Sequence, residues 1–91
     1  MSDSRRTIFD VREWVAGLTG CPSAEIADQS TSDQSGAVSV RYRCGTESLA
    51  EVHLLGLTLK SGRSASWQLV AKLTDRVERV VVPGDTRFVW R

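Results

Sequence analysis

The stretch LAEVHLLGLTLK, residues 49–60, is the most apolar run in the chain. It also holds the only histidine, His53, and an interior glycine, Gly56. An apolar run bounded by turn residues is typical of a strand buried in a sheet. We therefore expect residues 49–60 to form the central strand of the fold.

The side chains of this strand do not fit a sheet that is covered on one face only. Strict alternation puts Leu54 on one face and Leu55 and Leu57 on the other, so both faces become apolar. A β-bulge at Leu55–Gly56 would restore a single apolar face, and glycine inside a strand is a recognised sign of a bulge. In the alternative, the strand is regular and its second apolar face is buried against another subunit.

The other strands follow from alternation of apolar and polar residues. This pattern predicts strands over residues 38–44, 67–73, 77–82 and 86–91. The pair Pro83-Gly84 between the last two predicts a type II turn, with proline at its second position. Because short connections make consecutive strands antiparallel neighbours, the strands should form a meander.

One short helix is predicted near the N-terminus. Thr7 is a good N-cap, and Asp10 stands at the capping-box position. Apolar residues then recur at helical spacing from Ile8 to Leu18, and Gly20 suits the left-handed residue that ends a helix.

These elements predict an α+β fold in which an N-terminal helix packs on a four- or five-stranded antiparallel meander sheet, a two-layer sandwich. Residues 1–91 should form a single domain, with residues 1–6 frayed. The polar and acidic residues 23–36 should form a flexible loop, although residues 24–27 would also fit a short strand.

Composition limits the function classes. The 91 residues are 41% hydrophobic and 25% charged, with a net charge of +1, which is typical of a globular domain and less basic than most nucleic-acid-binding chains. No apolar run is long enough for a signal peptide or a membrane helix, so we expect a cytoplasmic protein. Cys21 and Cys44 should then be free thiols in a reducing compartment.

Nothing in the sequence predicts a catalytic, metal or cofactor site. Structural zinc needs four ligands, usually in closely spaced pairs, whereas this chain has two distant cysteines and one histidine. A Cys–His dyad would need Cys44 and His53 on the same face of the sheet. Alternation places Cys44 on the inward face with Tyr42, whereas His53 points outward. We therefore predict a protein that is not an enzyme.

Two surfaces are candidates for binding. One is the polar face of the sheet, which is mildly basic, and the other is the aromatic final strand, an edge that could pair or dock. If neither surface binds a partner, the first is an ordinary solvated sheet face and the second is a terminal strand packed on its own core. The predicted protein-interaction residues are Arg41, Arg43, His53, Lys72, Arg87, Phe88 and Trp90.

The sequence favours a small protein-binding accessory, inhibitor or immunity-type module that acts through a sheet face or an edge strand as a homodimer. An alternative is a nucleic-acid-binding or regulatory module that uses the basic sheet face, and its binding should weaken steeply with salt. A third hypothesis is a small-ligand pocket between helix and sheet, lined by Trp14, Tyr42 and Trp67.

Overall fold

A computed structural model of the chain describes residues 7–31, 38–58 and 64–91. The elements in chain order are β1 (Ile8–Asp10), α1 (Val11–Thr19), β2 (Glu25–Thr31), β3 (Val38–Cys44), β4 (Glu47–Thr58), β5 (Ser64–Leu73), β6 (Val77–Pro83) and β7 (Arg87–Val89). The fraying predicted for residues 1–6, the loop predicted for residues 32–36 and most of the connection between β4 and β5 lie outside the described residues.

The main sheet is a five-stranded antiparallel meander in the order β2-β3-β4-β5-β6. The predicted α+β fold, with a small N-terminal helix on an antiparallel sheet, is therefore confirmed. Between β3 and β4 the chain reverses in two residues, with Cys44 opposite Glu47. Gly45 begins this turn at φ 65°, a left-handed conformation that glycine adopts without strain.

The central strand β4 runs straight through Gly56. Its register with β5 is regular there and shifts only between Leu57 and Thr58, so of the two alternatives the bulge at Leu55–Gly56 is excluded. Leu54 is 8% exposed and faces the helix, whereas Leu55 is 42% exposed on the opposite face. The regular-strand alternative therefore describes β4.

Gly56 has a structural role other than the bulge that its position in a strand allowed. It lies opposite Trp67 on β5, and a Cβ added at Gly56 would stand 3.1 Å from Cζ3 of the indole. The ring of Trp67 thus occupies the space that a side chain would need. Glycine here allows a close approach of a neighbouring ring, which is the other common reason for glycine inside a strand.

The helix begins three residues later than predicted. Asp10, not Thr7, is the N-cap, and its side chain accepts a hydrogen bond from the backbone N–H of Glu13 at 3.0 Å. Ile8 belongs to β1 and is exposed. The predicted end is correct, because Gly20 closes the helix at φ 76° and donates its N–H to the carbonyl of Ala16.

The helix packs on one face of the meander and forms the core with it. Its buried residues Val11 and Val15 belong to one buried cluster with side chains of the three central strands: Val40, Tyr42, Ala50, Val52, Leu54, Leu69 and Ala71. No helix in the described part of the chain has the length and apolar composition needed to cross a membrane.

The chain ends meet in a second small sheet that the sequence pattern did not predict. β7 pairs with β1 in parallel, with Phe9 opposite Phe88. The side chains of Phe88 and Trp90 pack on the core, and the hydroxyl of Tyr42 donates a hydrogen bond of 2.7 Å to the carbonyl of Trp90. The last strand therefore does not extend the meander. It lies with α1 and β1 in the layer that covers one face of the sheet, which we call the helix layer.

Two further local predictions are wrong. Within the predicted loop 23–36, Glu25–Thr31 forms β2, so the alternative of a strand at residues 24–27 was nearer to the structure. β2 pairs with β3, with a register shift between Ile26 and Asp28. An edge strand has one neighbour and ample solvent contact, so polar residues suit it. In the turn after β6, the N–H of Thr86 donates to the carbonyl of Pro83, which makes Pro83 the first residue of the turn and not the second.

The prediction of free thiols is also wrong, because Cys21 and Cys44 form a disulfide. Gly20 turns the chain at the end of α1, which brings Cys21 beside the end of β3 with 6.3 Å between the two Cα atoms. The bond lies in a small cluster with Ala16 and Ala24. It ties the helix layer to the sheet.

Tyr42 should make the fold sensitive to alkali. Burial raises the pKa of Tyr42 above its ordinary value of 10.0, the Asp10 carboxylate adds to the rise, and the Arg12 guanidinium opposes it. The unfolded chain ionises near pH 10 while the folded chain keeps the proton, so this contribution is complete below pH 10 and is lost as pH rises further. We expect the free energy of unfolding to fall by up to about 1.4 kcal/mol per pH unit from this group.

The check is urea unfolding between pH 8 and pH 11 for the protein and for Tyr42→Phe. The variant should lose about 1 kcal/mol at pH 8 with the hydrogen bond to Trp90, and its stability should fall less steeply above pH 10. Parallel curves for the two proteins above pH 10 would contradict this account.

Candidate functional site

The helix layer covers one face of the meander and leaves the other face as the candidate site. We call this the open face. Alternation along each strand places its members on the side away from α1, where they are exposed or half-buried. On β3 to β6 these members include Ser39, Arg41, Arg43, Glu51, His53, Leu55, Gln68, Val70, Lys72, Val77, Arg79 and Val81.

Charges of both signs are interleaved at one end of the open face. Nε of Arg43 lies 3.1 Å from Oε1 of Glu25, and Nε of Arg41 lies 3.9 Å from Oε2 of Glu51. Glu51 in turn stands opposite Lys72 in the β4–β5 register. Exposed pairs of this kind contribute little to stability, about 0–1 kcal/mol each.

His53 lies near the centre of the open face. Its Nδ1 is 3.3 Å from Oγ of Ser39, and its Nε2 is 3.6 Å from Oε2 of Glu51. The second distance is too long for a hydrogen bond. Nε2 is also shielded from solvent and has no hydrogen-bond partner among the described residues.

These three residues resemble a hydrolytic triad in composition but not in arrangement. In a triad the serine contacts Nε2 and the carboxylate contacts Nδ1, whereas here the two contacts of His53 are exchanged. The group also stands on an open sheet face, and not in the deep cleft that a general base needs. Ser39, Glu51 and His53 therefore give no geometric support to catalysis.

A shallow depression combines apolar and cationic side chains. It measures about 340 Å³ and is lined by His53, Leu55, Gln68, Val70, Lys72 and Arg79. Lys72 and Arg79 form no ion pair with any residue that the structure describes. A depression that combines Leu55 and Val70 with these two cations suits a surface that carries both apolar and acidic groups.

The predicted interaction residues divide between the two layers of the fold. The structure brings four of them together on the open face: Arg41, Arg43, His53 and Lys72. Arg87, Phe88 and Trp90 lie in the helix layer instead. Since β7 is paired with β1 and its aromatic rings pack on the core, the terminal strand is not a free docking edge.

The sequence prediction missed the exposed side chains of β6. Val77 and Val81 are among the most exposed large apolar residues that the structure describes, and Arg79 lies between them on the same face. The signal was present in the period-two pattern of residues 77–82. The pattern did not predict an exposed edge, because a further strand at residues 86–91 would have paired with β6 and covered it.

The small-ligand pocket predicted between helix and sheet is filled by aromatic side chains. Tyr42 is 1% exposed. Phe88 contacts Trp67 with 6.3 Å between ring centroids, and Phe9 contacts Trp14 at 5.6 Å. Of the three residues that were expected to line a pocket, Trp14 and Trp67 pack against other rings, and Tyr42 is buried in the core.

No group of three or more potential metal ligands occurs among the described residues.

Comparisons of the chain with protein-family models, with curated proteins and with solved structures find no match.

Proposed function

We propose that this protein is a non-enzymatic module that binds another protein through the open face and the adjoining strand β6. The observation that carries the proposal is the grouping of exposed Leu55, Val77 and Val81 with Lys72 and Arg79 on one side of the sheet, where these two cations pair with no described residue. Accessory factors, inhibitors and immunity proteins all work through surfaces of this kind. Exposed apolar groups beside charges are typical of such contacts.

The disulfide bears on where the protein works. Bonds such as Cys21–Cys44 rarely persist in the cytoplasm, where thiols are kept reduced. The cytoplasmic location expected from the sequence implied free thiols, and the disulfide does not fit that expectation. We therefore favour a compartment or a surface that is oxidising.

Nucleic acid is less well suited to the open face than protein. Glu25 and Glu51 stand beside Arg43 and Arg41, so a phosphate backbone laid across the basic residues would also meet carboxylates. A nucleic-acid complex should dissociate steeply as salt increases. A protein complex that buries Leu55 should depend on salt only modestly.

The test is capture of the partner from a lysate of the source cells by three variants. Leu55→Asp and Arg79→Glu should each reduce recovery of the partner about tenfold or more, because they place charge in the apolar contact or reverse a cation. Arg87→Glu is the matched control, since Arg87 is exposed in the helix layer and its variant should recover the partner normally. Equal recovery by all three variants would contradict the proposal.

Light scattering on the pure protein identifies one special case. A dimer at micromolar concentration that Leu55→Asp converts to monomer would make the partner a second copy, as the sequence suggested. A monomer under the same conditions would leave a different protein as the partner.

A further inference from the structure

Strand β6 is an edge of the described sheet, and its pairing with β5 determines which backbone groups point outward. The N–H of Leu73 donates to the carbonyl of Arg76 at 2.8 Å, so these two residues form a hydrogen-bonded pair. Such pairs alternate along an antiparallel ladder. With the observed register, the backbone N–H and C=O groups of Glu78 and Val80 form hydrogen bonds with β5. The same groups of the residues before, between and after these two point away from the sheet. These outward residues are Val77, Arg79 and Val81.

The side chains at the outward positions form a short pattern on the open face. Val77 is 46% exposed and Val81 is 57% exposed. Arg79 lies between them without an ion pair to any described residue. Pro83 occupies the next outward position, where it has no N–H to offer, and its carbonyl already accepts from Thr86. The free edge therefore extends over residues 77–81 and stops at the proline.

The opposite edge of the sheet is less suited to accept a strand. β2 contains a register shift between Ile26 and Asp28, which interrupts a regular ladder. Bulges and charges are the usual means of blocking an edge. β6 pairs with β5 without a register shift, so its outward groups follow a regular ladder.

We propose that β6 accepts an extended segment of the partner protein as a sixth strand, and that this segment carries an apolar–x–acidic–x–apolar pattern. The inference rests on the proposed function and names the partner's chemistry. Backbone hydrogen bonds to Val77, Arg79 and Val81 provide the pairing. The apolar side chains lie beside the two valines and the carboxylate lies beside Arg79, because side chains directly opposite in a ladder share one face.

A second copy of β6 does not provide this pattern. In a symmetric antiparallel pair, the register centred on Arg79 opposes two arginines, and the register centred on Glu78 opposes two glutamates. The register centred on Val80 sets Glu78 against Val82 and loses a donor at Pro83. Like charges directly opposite each other are destabilising, so the edge favours a different, acidic strand.

A designed peptide tests the inference on the intact, oxidised protein. The probe has nine residues, with valine at its third and seventh positions, glutamate at its fifth, and serine or threonine elsewhere. In the ¹⁵N–¹H spectrum of the labelled protein, the amides of Val77, Arg79 and Val81 should shift more than those of Glu78 and Val80. A peptide with lysine in place of glutamate should bind roughly fivefold more weakly.

Two variants separate edge pairing from other contacts. Arg79→Glu should reverse the preference between the two peptides. Val81→Pro removes an outward N–H without removing a bond to β5, so the fold should persist, as thermal unfolding can verify, while the peptide no longer binds. An unchanged peptide preference in Arg79→Glu would overturn the inference.

The remaining outcomes also decide the question. Shifts confined to His53, Lys72 and their neighbours would overturn the edge inference and leave the proposed open-face binding intact. No shift at β6 with the glutamate peptide at about 1 mM would overturn the inference as well. The proposed function would then still be tested by partner capture with Arg79→Glu and Arg87→Glu. A dimer that Val81→Pro dissociates would show that a second copy occupies the edge.

Discussion

Replacing Cys21 and Cys44 together by serine is expected to lower the free energy of unfolding by about 3 kcal/mol. The disulfide joins residues that are 23 positions apart, and breaking it gives the unfolded chain the freedom of that loop. The native contacts around it are few, since the surrounding cluster consists mainly of Ala16 and Ala24. The loss should therefore come largely from the unfolded state. Urea unfolding of the oxidised protein and the double variant measures it.

The reduced protein is the control for this prediction. With a thiol reductant present, the unchanged sequence should unfold at nearly the same urea concentration as the double serine variant, because both lack the cross-link. The variant itself should not respond to reductant. Unfolding free energies of oxidised and reduced protein within about 0.5 kcal/mol of each other would contradict the stabilising role of the Cys21–Cys44 bond.

A chain of this size depends strongly on such a contribution. Domains of about 90 residues have total stabilities on the order of 5–10 kcal/mol. Loss of the disulfide would remove a large share of that stability without changing any residue of the open face. The double variant should therefore still bind a partner at low temperature. On heating, it should lose binding at a lower temperature than the oxidised protein, because it unfolds earlier.

Patterns that depend on neighbouring residues could be predicted from the sequence. The alternation over residues 38–44 matches β3 as observed, because burial of one face repeats every second residue. The same regularity placed Arg41, Arg43 and Lys72 on a common face. The meander order followed because short turns leave antiparallel neighbours as the simple solution.

Features that depend on distant residues could not be predicted in this way. Gly56 fits a bulge or a close contact equally well until Trp67 is known to lie across from it. The cysteines meet because of how the chain turns after the helix, which their spacing does not show. Phe88 and Trp90 leave the meander because β1 offers β7 a parallel partner at the opposite end of the chain.

The neighbouring residues Leu54 and Leu55 should respond very differently to the same substitution. Leu54→Ala removes a side chain that is 8% exposed and packed in the main core, so the free energy of unfolding should fall by about 2–4 kcal/mol. Leu55→Ala removes one that is 42% exposed on the open face, and the loss should stay below about 1 kcal/mol. Urea unfolding of the two variants side by side measures the difference, and each variant serves as the control for the other.

Repeating this comparison at two protein concentrations tells whether a second copy covers the open face. In a monomer, the small effect of Leu55→Ala does not depend on concentration. If a second copy buries Leu55, the unchanged protein becomes more stable as its concentration rises, and Leu55→Ala removes that gain. Equal losses for Leu54→Ala and Leu55→Ala in a strict monomer would contradict the regular course of β4 through Gly56, because one side of a straight strand must then remain in solvent.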